Sequence, residues 1–197
     1  MLTVDDILNE VQSAKMIFID GGGVTFTGGE VTCQKEPILR IIRELKKQGI
    51  STCIETNASL PDCYELFDEV DYMIADFKSP DADKLKEVTG GEIEIIKENL
   101  LHRAKIGKHL LIRIPLVHFF NCGYNNAVDF ADFFEYLKKE SNNKNLCFEI
   151  LTYHEFGKDK YKNIKKEYTV TDGFVNDEDV KILTDELLKR NLKIIRT

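Results

Sequence analysis

The 197 residues carry 34 acidic and 27 basic side chains, and the net charge of −7 argues against a general nucleic-acid binder. With 43% apolar residues the chain can bury one substantial core, so a single domain over 1–197 is expected. No apolar run approaches the roughly 18–20 residues that cross a bilayer and no signal peptide opens the sequence, which predicts a cytoplasmic protein with no membrane partner.

Taken in chain order, the predicted elements alternate. Val4, Ile7, Leu8 and Val11 give residues 2–14 helical spacing, which leads into Lys15-Met16-Ile17-Phe18-Ile19. Residues 24–27 read as a short strand between glycine clusters. A helix over 35–48 has Pro37 in its first turn and Gly49 just past its end. A strand over 51–55, a short helix over 61–69 and a strand over 72–76 come next. Helices over 82–88 and 93–106 lead to 109–117, a strand so dense in Leu, Ile and Val that burial on both faces is expected. A helix over 125–140, a strand over 146–151, a helix over 177–190 and a terminal strand over 192–195 complete the chain.

Repeated βα units imply a parallel sheet, either open or curled toward a barrel. A complete eightfold barrel takes about 250 residues. The expected fold class is therefore α/β, an incomplete parallel (β/α) barrel, and a flavodoxin-like open sheet fits the pattern alone.

The segment 21–30 holds Gly21, Gly22, Gly23, Gly28 and Gly29 and ends in Glu30. Glycines at this density lower stability, and they are useful where main chain must take positive φ or approach a ligand closely. No Gly-Lys-Ser/Thr follows, which excludes a phosphate loop, and the spacing does not match the dinucleotide fingerprint.

Polar residues then recur at strand ends: Glu30, Glu55-Thr56-Asn57, Asp76 and Lys78, Arg113 within its strand, and Tyr153-His154-Glu155. In a parallel sheet such positions line one cleft. Carbonyls exposed by Gly28-Gly29, with Glu30 nearby, suit a ligand ammonium. Lys78 and Arg113 suit a carboxylate. Together they point to an amino-acid-like ligand. Glu55, Thr56 and Asp76 could also offer hard oxygen ligands to a small cation, although carboxylates beside Lys and Arg more often form ion pairs.

These segments resemble the glycyl-radical-enzyme activating enzymes of the radical S-adenosylmethionine superfamily, of the pyruvate formate-lyase activating type. The similarity rests on 21–30, Glu55-Thr56-Asn57, residues 71–78, Arg113 and residues 153–158, and covers nearly the whole chain. The resemblance implies that Gly28, Gly29 and Glu30 meet the amino group of S-adenosylmethionine. It implies that Asp76, Lys78 and Arg113 hold its ribose and carboxylate side, that His154 approaches from the last strand, and that Glu55 and Asp76 neighbour a monovalent cation. It further implies a [4Fe–4S] cluster that cleaves the cofactor to a 5′-deoxyadenosyl radical. The implied partners are a glycyl-radical enzyme and an electron donor such as flavodoxin or ferredoxin.

The cysteines depart from that pattern. The family's C-x3-C-x2-C cluster motif is absent, because Cys33, Cys53, Cys63, Cys122 and Cys147 are widely spaced. The expectation is accordingly the C-terminal part of a longer activase, missing its first βα unit and inactive alone. The alternatives are a cluster-less module that binds S-adenosylmethionine or a partner protein, and an unrelated anion-binding α/β protein.

Overall fold

The computed structural model describes residues 3–18, 21–158, 161, 165, 167, 168 and 170–196. Helix α1 (Val4–Ser13) begins at a capping box: the Thr3 side chain accepts from the Asp6 N–H while the Asp6 carboxylate accepts from the Thr3 N–H. Leu2, its predicted first residue, lies outside the described residues, as does Ile19. Lys15–Phe18 forms a 3-10 turn.

Strand β1 (Gly23–Phe26) leads through a 3-10 turn (Val31–Gln34) into α2 (Lys35–Lys47). Then come β2 (Ser51–Thr56), α3 (Tyr64–Glu69), β3 (Tyr72–Asp76), α4 (Ala82–Thr89) and α5 (Ile93–Lys105). Strand β4 (His109–Leu116) precedes a single turn, α6 (His118–Asn121), and the long α7 (Tyr124–Ser141). Strand β5 (Leu146–Thr152) and α8 (Asp177–Lys189) complete the set.

The five strands form one parallel sheet in the order β1-β2-β3-β4-β5. That order never reverses, so the sheet has no switch point of the kind that defines flavodoxin-like open sheets. It is the strand order of a partial (β/α) barrel, as the sequence predicts.

Side chains along β2 and β4 alternate between buried and partly exposed. Residues such as Ile54, Met73, Ile112 and Phe148 are buried in the core. Cys53, Glu55, Asp76 and Arg113 take the alternate positions and remain partly exposed. The expectation that residues 109–117 are buried on both faces is therefore corrected: the core closes over one face of β4, and Leu111, Arg113 and Pro115 keep partial exposure.

Packing on the covered face is aromatic and dense. The Phe134 ring stacks on Phe148 at 4.5 Å and meets Phe77 edge-on at 5.7 Å. At the N-terminal end of the sheet the fully buried Arg103 serves as a cross-brace. Its guanidinium donates to the carbonyls of Phe67, Val70, Asp71 and His109, which ties the α3–β3 connection to the start of β4. Burial pushes this guanidinium down to about 10.

The predicted terminal strand shrinks to a single bridge between Ile194 and Phe148. Phe148 N–H donates to Lys193 O (2.9 Å) and Ile195 N–H to Phe148 O (2.8 Å). No described helix is long and apolar enough to cross a membrane.

Candidate functional site

Beyond Phe26 the chain turns through Thr27-Gly28-Gly29 to Glu30. Gly28 has φ +130°, which a residue with a side chain rarely adopts, and a Cβ at Gly28 or Gly29 would meet no atom within 4 Å. These glycines expose main chain to space and serve no packing purpose. The space is a cavity of about 240 Å³ lined by Thr27, Gly28, Gly29, Glu30, Glu55, Thr56, Asn57, Asp76 and Lys78. Six of the eight residues anticipated for the site meet there, delivered by the C-terminal ends of three neighbouring strands.

Glu30 fixes the shape of the loop. Its Oε1 accepts from Thr32 N (3.1 Å), Thr32 Oγ1 (2.7 Å) and Thr56 Oγ1 (2.6 Å), and its Oε2 from Asn57 N (2.8 Å). Burial opposes the charge, but these donors outweigh it and hold the carboxyl below its usual range. The carboxylate thus clips the glycine loop to the end of β2. Thr56 Oγ1 in turn accepts from Ala58 N (2.9 Å), and Ala58, at φ +53°, turns the chain sharply away. The Ala58 and Leu60 carbonyls are anchored by the buried Asn99 amide at 2.8 and 2.9 Å.

Asp76 ends β3, with Lys78 two residues on and their charged atoms 3.9 Å apart. Burial raises the Asp76 carboxyl above its ordinary value, and Lys78 and Arg113 only partly counter the effect. The Lys78 main chain is fixed from the other side, since Asn121 Nδ2 donates to its carbonyl at 2.7 Å.

Arg113 and His154 do not line the cavity. The Arg113 guanidinium donates to Glu149 Oε2 at 3.0 Å and Glu55 Oε1 at 3.3 Å, spanning β2 to β5 beneath the site. Burial disfavours its charge, yet the two carboxylates hold its pKa above the ordinary value. Glu55 also accepts from Thr27 Oγ1 at 3.1 Å, so both of its oxygens are engaged. His154, exposed beyond β5, packs on the Phe156 ring at 4.5 Å. Thr27 is a lining residue that sequence reasoning missed; its position next to the glycines was the available signal.

The Radical SAM superfamily signature matches residues 1–131 of this chain. The chain belongs to the radical SAM superfamily. Among relatives, this radical SAM domain is 28% identical to the 4-hydroxyphenylacetate decarboxylase activating enzyme of Clostridioides difficile, over 96% of this chain and 60% of that protein. It is 30% identical to the pyruvate formate-lyase-activating enzyme of Staphylococcus epidermidis, over 98% of this chain and 76% of that protein. The solved domain of a pyruvate-formate lyase-activating enzyme from Bacteroides vulgatus superposes with a TM-score of 0.70 at 24% identity, covering 89% of this chain and 98% of that one. The domain spans about 60% of the length of the decarboxylase-activating relative.

Membership implies S-adenosylmethionine and a [4Fe–4S] cluster as cofactors. The donor set of the cavity fits the first: exposed main chain, three acids and a lysine face one space. The cysteines of this chain do not fit the second. Cys33 is exposed beside the glycine loop, Cys63 is buried ahead of α3, and Cys53, Cys122 and Cys147 lie on β2, after α6 and on β5. Among the described residues a single group of three or more His, Cys, Asp and Glu donors converges, and it holds one cysteine. A cluster needs several thiolates at one place.

Proposed function

We propose that this chain is the S-adenosylmethionine-binding part of a glycyl-radical-enzyme activating enzyme, and that the cavity between Gly28-Gly29 and Lys78 holds the methionine end of the cofactor. The observation that carries this is the convergence, within one 240 Å³ space, of a main-chain rim with no side chains and an ammonium across from it. Carbonyls of the Gly28-Gly29 turn accept from the ligand ammonium. Lys78, partly exposed and 3.9 Å from Asp76, pairs with the ligand carboxylate. Asp76 faces the same space and accepts from ligand hydroxyl or ammonium groups.

Glu30 and Arg113 act through others in this reading. Glu30 positions the glycine loop, and Arg113 holds Glu55 and Glu149 across the sheet. With Glu55 engaged by Arg113 and Thr27, a monovalent cation here would rely chiefly on Asp76 and main-chain oxygens. His154 would join the site by moving its loop toward the ligand. When bound, S-adenosylmethionine supplies the sulfonium chemistry of the superfamily; the residues of this chain bind it and orient it. The partner in this reading is a glycyl-radical enzyme, with flavodoxin or ferredoxin as electron donor.

Equilibrium dialysis and ligand-detected NMR on the chain as it stands test the proposal with S-adenosylmethionine, methionine and ATP. Binding of the first two, weakened about tenfold or more by Lys78→Ala, is expected. Binding of ATP alone, or S-adenosylmethionine binding indifferent to Lys78→Ala and Gly28→Val, would refute it. The separated cysteines favour a second reading, in which the chain binds S-adenosylmethionine without a cluster. Anaerobic reconstitution of this chain with iron and sulfide should yield no stoichiometric [4Fe–4S] absorption in either reading, and a C-x3-C-x2-C segment encoded in frame upstream of residue 1 would exclude the second.

A further inference from the structure

A donor cluster that the cofactor site does not use lies at the C-terminal edge of the sheet. His118 opens the single turn α6, Cys122 follows it four residues later, and Asp179 sits in the first turn of α8. One ligand atom from each lies within 4.8 Å of the other two, and His118 Nδ1 is 3.0 Å from Asp179 Oδ2. We propose that His118, Cys122 and Asp179 form a zinc(II) site that pins the start of α8 to the β4–α7 connection.

The supports are stiff on both sides. Asn121, nearly fully buried, donates through its amide to the carbonyls of Lys78 (2.7 Å) and Pro115 (2.8 Å) and accepts from Val117 N–H (2.8 Å). The His118 N–H donates to Gly173 O at 3.1 Å. On the other element, the cap residue Asn176 accepts from Asp179 N–H at 2.8 Å. Ligands on such supports need little reordering to close on an ion.

The donor set selects the metal. One imidazole, one thiolate and one carboxylate suit borderline-soft zinc, with bonds of about 2.0–2.3 Å. A tetrahedral ion at those lengths holds its ligands roughly 3.4–3.7 Å apart. Closing on the ion would draw the widest pair, now within 4.8 Å, together by up to about 1 Å and part His118 Nδ1 and Asp179 Oδ2, now 3.0 Å apart, by about half an ångström. Magnesium and calcium prefer oxygen throughout, and one thiolate cannot carry an iron–sulfur cluster. Three protein ligands leave a fourth position for water or an incoming group, and exposed His118 gives the ion a way in. Asp172 adds negative charge near the imidazole.

The competing account is a hydrogen-bonded knot in which Asp179 serves His118 and Cys122 without metal, and one experiment decides. The chain, dialysed against chelator, is titrated with zinc(II) by calorimetry and with cobalt(II) by absorption. The proposal expects one equivalent per chain, a thiolate-to-cobalt charge-transfer band, and a rise in melting temperature with zinc. Cys122→Ser should abolish the band, and His118→Gln should weaken zinc binding at least about tenfold. Cys33→Ser, removing the exposed cysteine, should change neither. Absence of stoichiometric binding, or a band that survives Cys122→Ser, overturns the proposal. Asp179→Asn could loosen α8, so circular dichroism accompanies that variant, and the test rests on Cys122→Ser and His118→Gln.

Discussion

Removing the Glu30 carboxylate should unfasten the glycine loop from β2. Its four donors divide into two kinds. The Thr32 and Thr56 hydroxyls sit on buried side chains but can rotate, whereas the Thr32 and Asn57 N–H groups are fixed by the backbone at 3.1 and 2.8 Å. A hydrogen bond to a charged group is worth about 1.5–3 kcal/mol. With the hydroxyls free to turn and recover part of their loss in the space the carboxylate vacates, Glu30→Ala should cost about 2–4 kcal/mol. For a chain of this size that is a fall in melting temperature of roughly 5–12 °C. Glu30→Gln keeps one acceptor but sets its NH2 against a donor, and should cost about half as much. The chain has no Trp, so urea unfolding is followed by circular dichroism.

The pH dependence follows from the direction of the shift. The folded carboxyl lies below its unfolded value of 4.5. Its stabilisation is complete above that value and is lost as pH falls through the lower, folded one. The gap between wild type and Glu30→Gln should therefore be constant near neutrality and narrow below pH 4.5. A cost under about 0.5 kcal/mol, or a gap that widens in acid, would refute the clip and leave the carboxylate free to act directly on a ligand.

Further outcomes follow from other contacts. Arg113→Met removes the cation opposite the nearly buried Glu149 and should destabilise by about 2–4 kcal/mol in urea unfolding, well beyond an exposed pair. Gly23→Ala places a methyl group against the Ser51 main-chain oxygen, which cannot swing aside; a loss of about 1–3 kcal/mol is expected, measured by thermal unfolding. Among the thiols, timed alkylation with mass spectrometry should find Cys33 modified first. Cys63, 2% exposed and with burial pushing its thiol up, should react only as the chain opens.

The strands were legible because their covered face imposes period-two burial on short apolar runs, and 72–76 matches β3 residue for residue. Where burial is thin, apolar content misleads. Met16, Ile17 and Phe18 are apolar yet lie in a 3-10 turn, with Met16 and Ile17 largely exposed, and 192–195 yields one bridge. Strand ends located the cavity because parallel topology brings them to one edge. The partners of each charge were hidden, since they depend on register. Glu30 finds Thr56 and Asn57 across 26 and 27 residues, and Arg113 reaches Glu149 because those positions pair between β4 and β5. The His118-Cys122-Asp179 group spans 61 residues; its only sequence trace was a His and a Cys four apart.

The pairing of the sheet is uneven. β4 and β5 are in register over seven residue pairs, while β1 meets β2 over four and has no strand on its other side among the described residues. Amide exchange should therefore reveal a gradient, slowest through β4–β5 and fastest in β1. The glycine loop issues from the fast end. A ligand seated there spends part of its binding energy tightening β1, so occupancy of the cavity should be readable as slowed exchange of the Val24 and Phe26 amides, which the ligand itself does not touch.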